Sequence, residues 1–175
     1  ALLVRLGDEG QKGADAQDIF SAASHRTVYE ELLADAFARF GVDLHGYAWM
    51  TNHTHMLAHA PHGGLPDAMH LLGSRYASMY NGWTNRSGPL FTARYFSEPV
   101  TSDAQLVQTA RYIHRNPIPI VGSTGLSEYP WSSFGPLIGR RPLPDWLSIL
   151  RQAKVWRRLL AEPTLFWMPY GVKIQ

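Results

Sequence analysis

Two histidines one residue apart, His53 and His55, follow a short polar turn at Thr51-Asn52 inside the apolar stretch from Tyr47 to His59. If Asn52 to Ala60 is extended, successive side chains alternate between faces, so both imidazoles leave the same face about 7 Å apart along the strand. Two imidazoles so placed can share one cation; the plainer reading is a pair of half-buried strand histidines. Further along, Tyr112 and Asn116 stand four apart in a helical pattern and lie one above the other, while Leu106, Ala110 and Ile113 lie toward another face. A phenol kept off the apolar stripe can serve as a nucleophile. It can equally be a shoulder tyrosine with its hydroxyl in water, and Asn116-Pro117 reads as a helix-end signal.

Composition narrows the chemistry. At 175 residues, with 45% hydrophobic and 12% aromatic residues, the chain has the length and apolar content of one globular domain spanning 1–175. It has no cysteine, which excludes disulfides, thiolate catalysis and Cys-held zinc or iron–sulfur sites, so any metal must sit on His, carboxylate or amide. Formal net charge is +2 and the pI is near 9.0. The basic charge is mostly arginine, the better residue for phosphates and base edges, so a polyanionic partner is permitted. No apolar run reaches membrane-spanning length and no signal-peptide pattern is present, so a cytoplasmic protein with no membrane partner is expected. The chain opens at Ala1 without a methionine, already inside an apolar run, and residues upstream are expected.

The elements that must position these residues follow from periodicity. Residues 1–6 have strand content, and Gly7 to Gln17 reads as a flexible loop. A first helix is predicted from Thr27, with Thr27 and Glu30 as a capping box, Val28, Leu32, Leu33, Ala36, Phe37 and Phe40 on its apolar stripe, and Gly41 as its stop. Val42 to Met50 and His53 to Ala60 form a predicted hairpin. A second helix is predicted over about Leu65 to Asn81, with Leu65, Met69, Leu72, Tyr76 and Met79 inward and Gly82 ending it. Leu90 to Phe96 reads as a short extended segment. A third helix capped by Thr101 or Ser102 must finish before Pro117. Tyr129 to Ser133 reads as a turn with an aromatic anchor, and Pro142 to Leu160 as a last helix containing Trp146, Leu150 and Leu159. This order predicts an α+β fold: an antiparallel sheet with helices packed mainly on one face, the other left to carry a site.

Four segments then resemble a known family. Met50-Thr-Asn-His-Thr-His-Met-Leu57 resembles the Met-Pro-Asn-His-hydrophobic-His-Leu-Leu signature of the single-tyrosine HUH transposases, the insertion-sequence-200-like group, especially the REP-associated branch. Ser87 to Tyr95, Ala110 to Pro117 and Tyr129 to Ser133 resemble its Ser-Gly-His-Leu-Trp-Gln-Gly-Arg-Tyr, Tyr-Ile-x-x-Asn-Pro and Tyr-Pro-Trp-Ser-Ser segments. The resemblance covers residues 27–139 and departs from the pattern at Thr51, where proline is usual, and at Thr54, where a hydrophobic residue is usual. Thr54 points away from the imidazoles and favours strand, so the geometry is expected to survive.

The resemblance implies a ferredoxin-like HUH fold, with His53, His55 and Asn116 as ligands of Mg²⁺ or Mn²⁺ and Tyr112 as nucleophile. It implies cleavage and rejoining of single-stranded or hairpin DNA through a 5′-phosphotyrosine intermediate, by a monomer or homodimer. Arg75, Arg86, Arg94, Arg111 and Arg115 are candidate DNA contacts, with Trp49, Trp83, Tyr95 and Phe96 as candidate stacking residues. Tyr76 and Tyr80 are rival tyrosines outside the motif, read as packing or DNA contacts. Two alternatives are a catalytically silent, domesticated binder of hairpin DNA and a small hydrolase holding zinc on His53 and His55.

Overall fold

The chain runs through β1 (Leu2–Gly7), α1 (Ala23–Phe40), β2 (Asp43–Trp49), β3 (Thr54–Ala60), α2 (Leu65–Thr84), β4 (Phe96–Pro99) and α3 (Asp103–Arg115). Two single-turn helices follow, α4 (Ile118–Val121) and α5 (Phe134–Leu137). The computed structural model describes residues 2–7, 17–91 and 95–148. The four strands pair antiparallel in the order β2-β3-β1-β4. Placing β1 between β3 and β4 makes the split β-α-β-β-α-β arrangement of ferredoxin-like folds, as expected. Among the described residues, no helix is long and apolar enough to cross a membrane.

Side-chain alternation sorts the hairpin residues between two cores. Tyr47, Trp49, Met56, Ala58 and Ala60 join one cluster with α1 and α2, whereas Ala48 and Leu57 join a second with Leu106, Val107, Ala110 and Ile113 of α3. Cross-strand register agrees: Tyr47 pairs with Met56 and Trp49 with Thr54, while Ala48 lies opposite His55. Since the period is two, His55 must share the α3 face with Ala48 and Leu57. Helices α1 and α2 cover one face, and α3 lies on the other, which the sequence reading left to the site.

Element ends show where tertiary contacts outrank local signals. Helix α1 starts at Ala23 with no side-chain cap, so the predicted Thr27–Glu30 capping box does not form. Glu30 instead accepts a hydrogen bond from Trp49 Nε1 at 2.9 Å, and buried Ile19 and Phe20 bring the chain to the helix early. Gly41 closes α1 in the left-handed region at φ 63°. Helix α2 passes through Gly82 to Thr84 and stops at Asn85, φ 50°, because an interior glycine costs only about 1 kcal/mol. Met79 is 39% exposed and Tyr80, 4% exposed, takes the predicted inward place, one turn after Tyr76.

Strand β4 begins at Phe96, where the predicted extended segment ends; Thr92, Ala93 and Arg94 lie outside the described residues, as does the predicted loop over 8–16. Ser102 caps α3, its Oγ accepting from Gln105 N at 3.2 Å, and Asn116 closes the helix before Pro117. Residues 142–148 are not helical, correcting the start of the predicted last helix; Leu150 and Leu159 lie outside the described residues. Pro142 and Pro144 disfavour helix here, and Ser148 N donates to Leu44 O at 2.9 Å. Trp131 to Ser133 lie along the same strand, with Trp49 N donating to Trp131 O at 2.8 Å and Ser133 N to Tyr47 O at 3.1 Å. Both segments cover the open edge of β2.

Candidate catalytic and metal site

The turn between β2 and β3 is fixed before any ligand is considered. Met50 N donates to His53 O at 2.9 Å, and the Thr51 carbonyl accepts from Ile19 N at 3.0 Å and Phe20 N at 3.1 Å. His53 lies in the turn, one residue before β3, rather than inside the strand. Its Nδ1 is 2.7 Å from Asn52 Oδ1. An amide oxygen only accepts, so Nδ1 carries the proton and Nε2 presents the lone pair, the tautomer that suits ligation. His55 is fully buried, and its ring stands 4.8 Å from that of His53 at 89°.

Helix α3 brings the tyrosine to this pair. The rings of His55 and Tyr112 stand 5.3 Å apart, edge to face at 88°, because Leu106, Ala110 and Ile113 bury against Leu57 and Ala48 and leave Tyr112 at the shoulder. Asn116 Nδ2 donates to Tyr112 O at 2.8 Å, which commits the amide nitrogen and leaves Oδ1 for acceptance or ligation. Thr54 is fully buried toward α1, bonded to the Tyr29 hydroxyl, so the departure between the histidines falls on the opposite face, as expected.

The donor set passes a simple distance test for a shared ion. Nitrogens about 2.1 Å from one ion hold imidazole centres no more than about 6.5 Å apart, and these centres are 4.8 Å apart. Among the described residues, no cluster of three His, Asp or Glu forms here or elsewhere. An ion shared by the two imidazoles would therefore, among the described residues, draw its other donors from outside the His, Asp and Glu side chains.

Sequence reasoning placed Asn52 and Ser133 only in turns and gave His114 no role. His114 Nε2 lies 2.7 Å from Ser133 Oγ, which also accepts from Tyr47 N at 2.8 Å. Burial pushes His114 down to about 3, so it is a neutral strut joining α3 to β2, two residues from Tyr112. Gly46 packs against both partners: a Cβ built there would stand 3.6 Å from Ser133 Oγ and 3.7 Å from His114 Nε2, ordinary contact distances. Both partners sit inside the recognised segments, so the signal was present, but nothing in their spacing reveals that they meet.

The remaining candidates fall elsewhere. Tyr76 and Tyr80 are buried, their hydroxyls donating to Ile19 O at 2.6 Å and Asp18 O at 2.8 Å, and burial raises the Tyr76 phenol far above its usual range. Arg75 pairs with Asp35 at 2.6 Å across α1 and α2, on the layer away from His55. Arg86 folds back on Asn81 Oδ1 and Pro89 O, both at 3.4 Å. Arg111 and Arg115 lie on α3 beside Tyr112, and Arg94 is outside the described residues. Trp49 is core, Tyr95 partly buried, and Trp83 and Phe96 exposed.

A ferredoxin-like sheet with one histidine in the β2–β3 turn, a second on β3 and a tyrosine helix laid over that strand defines the class. The sequence profile described as "Transposase IS200 like" matches residues 16–116, more than half of the chain, and the chain belongs to that family. Among solved structures it is similar to a REP-associated tyrosine transposase bound to a REP hairpin, with TM-score 0.61, 10% identity and 84% of each chain covered; at that identity the likeness establishes the fold. No curated protein matches the chain.

Proposed function

We propose that this chain cleaves and rejoins single-stranded or hairpin DNA through a 5′-phosphotyrosine intermediate formed on Tyr112. The contact between the Tyr112 and His55 rings, 5.3 Å apart, carries the reading, because it puts a phenol beside the histidine pair on a helix of a transposase-family fold. Tyr112 Oη attacks the phosphorus and loses its proton, the P–O3′ bond breaks, and the leaving oxygen takes up a proton as a 3′-hydroxyl. In the reverse step a 3′-hydroxyl attacks the phosphotyrosine, restoring the phosphodiester and the phenol without ATP.

His53, His55 and Asn116 Oδ1 would hold a divalent ion. Mixed imidazole and oxygen donors with open positions suit Mg²⁺ or Mn²⁺, which would polarise the scissile phosphate. Asn52 orients His53, and the His114–Ser133 strut holds α3 in register. Hairpin DNA is favoured as substrate by family membership and by the hairpin-bound structural neighbour.

The test is a labelled hairpin oligonucleotide with Mn²⁺. Wild type should form a protein–DNA adduct that survives denaturant and disappears with chelator, and Tyr112→Phe should shift the DNA without forming it. An adduct with Tyr112→Phe would place the nucleophile elsewhere. Binding without any adduct from wild type would identify a silent hairpin binder.

A further inference from the structure

We infer that Trp83, backed by His25, is a stacking platform for an unpaired base in the single-stranded DNA beside the hairpin. This rests on the function proposed above and adds a subsite to it. Trp83 is 44% exposed, yet its indole is held in place. The His25 ring stacks on it at 4.8 Å and 12°, and Tyr76 meets it edge-on at 6.4 Å and 77°. His25 thus covers one face of the indole, and the residue still keeps 44% of its surface open for a second partner. Desolvation, and then the neighbouring Arg26, lower the pKa of His25, so at neutral pH the supporting ring is an uncharged π surface. An indole already fixed by its neighbours loses little side-chain entropy when a base settles on it, and every base offers a π face for the contact.

Position names the occupant. The platform joins the histidine turn through one short chain of contacts: Tyr76 donates to Ile19 O at 2.6 Å, Ile19 N donates to Thr51 O at 3.0 Å, and His53 is two residues further on. Tyr80, which precedes Trp83 by just under one turn of α2, braces the same segment through Asp18 O at 2.8 Å and meets His25 at 5.3 Å. A strand engaged at Tyr112 and His53 thus has an aromatic surface at the same end of the sheet, on scaffolding shared with the turn. Arg86 follows Trp83 by three residues and brings basic charge to the end of α2, where it bonds back to Asn81 Oδ1; a cation there suits a phosphodiester strand better than a basic or apolar partner.

The experiment walks 2-aminopurine along the single-stranded flank of a hairpin oligonucleotide. Wild type should quench one position, and Trp83→Ala should lose that quenching and bind the flanked hairpin roughly 5- to 100-fold more weakly. The salt slope of binding should not change, because no phosphate contact is removed, and Trp83→Phe should restore part of both signals. Thermal melting of Trp83→Ala close to that of wild type would confirm that the fold is intact. If wild type binds the hairpin but Trp83→Ala matches it in affinity and quenching, the platform is overturned and the transposase reading stands. A change in oligomeric state with DNA affinity unaltered would make the surface a contact between copies, which also overturns it. If wild type binds no hairpin DNA at low salt, both readings fall.

Discussion

The two faces of the sheet divide the labour of the molecule. The α1–α2 face is filled by large rings: Phe20, Tyr29, Trp49 and Tyr76 are almost fully buried and meet edge to face or tilted at centroid separations of 5.0 to 5.7 Å. Its phenols are structural, since burial raises Tyr29, Tyr47 and Tyr76. The α3 face is built on Ala48 and Leu57, packed against Leu106, Ala110 and Ile113, and it carries His55 and His114 with Tyr112 at its shoulder. A tyrosine's use here is decided by its layer rather than by its residue type.

Substitutions across the sheet should separate the layers. The largest expected contrast is between His55→Ala and Tyr76→Phe. His55→Ala should cut adduct formation with Mn²⁺ by at least about 10³-fold. Tyr76→Phe should leave that rate unchanged while lowering stability by about 1–2 kcal/mol, because the Ile19 carbonyl loses its donor. Denaturant melts beside single-turnover assays would show this, and a catalytic defect in Tyr76→Phe would break the division.

A second contrast comes from acid. His114 is held down to about 3 against about 6.5 for an ordinary histidine, so the unfolded chain takes up its proton first as pH falls. The stability this provides is complete above about pH 6.5 and is lost toward pH 3, at up to about 1.4 kcal/mol per unit. Unfolding free energies measured from pH 7 to 5 should fall, and His114→Gln should flatten the slope. His45 and His25 shift in the same direction, so some slope should persist. An unchanged slope in His114→Gln would show that the strut is not a neutral imidazole.

The smallest effect is expected at Thr54. Thr54→Val keeps the strand and the shape but removes the partner of the Tyr29 hydroxyl, for a loss of about 1 kcal/mol with cleavage unaltered. A changed Mn²⁺ requirement in this variant would mean that the face toward α1 reaches the metal site.

The order of elements was readable because apolar periods of two and 3.6 survive in a single sequence, and so was the partition of Thr54 from His55. Gly41 and Ser102 acted as local grammar predicts. The Thr27–Glu30 box did not, because Glu30 had a partner in Trp49, 19 residues away along the chain. Family segments marked His53, His55 and Tyr112, and the fold brings their rings together. Asn52 and the His114–Ser133 contact were hidden for a different reason: their roles exist only once the turn and the α3–β2 packing have formed.

The sealing of β2 bears on how copies of this chain can associate. One edge of the sheet is closed by the chain's own Trp131–Ser133 and Leu147–Ser148 segments, each hydrogen-bonded to it. The other edge, β4, is four residues long, exposed along its length, and carries Glu98 and Pro99, a charge and a missing donor that discourage strand addition. Two copies that pair would therefore meet through helices or loops, leaving each four-stranded sheet separate, and the same features protect the protein from strand-to-strand aggregation at high concentration.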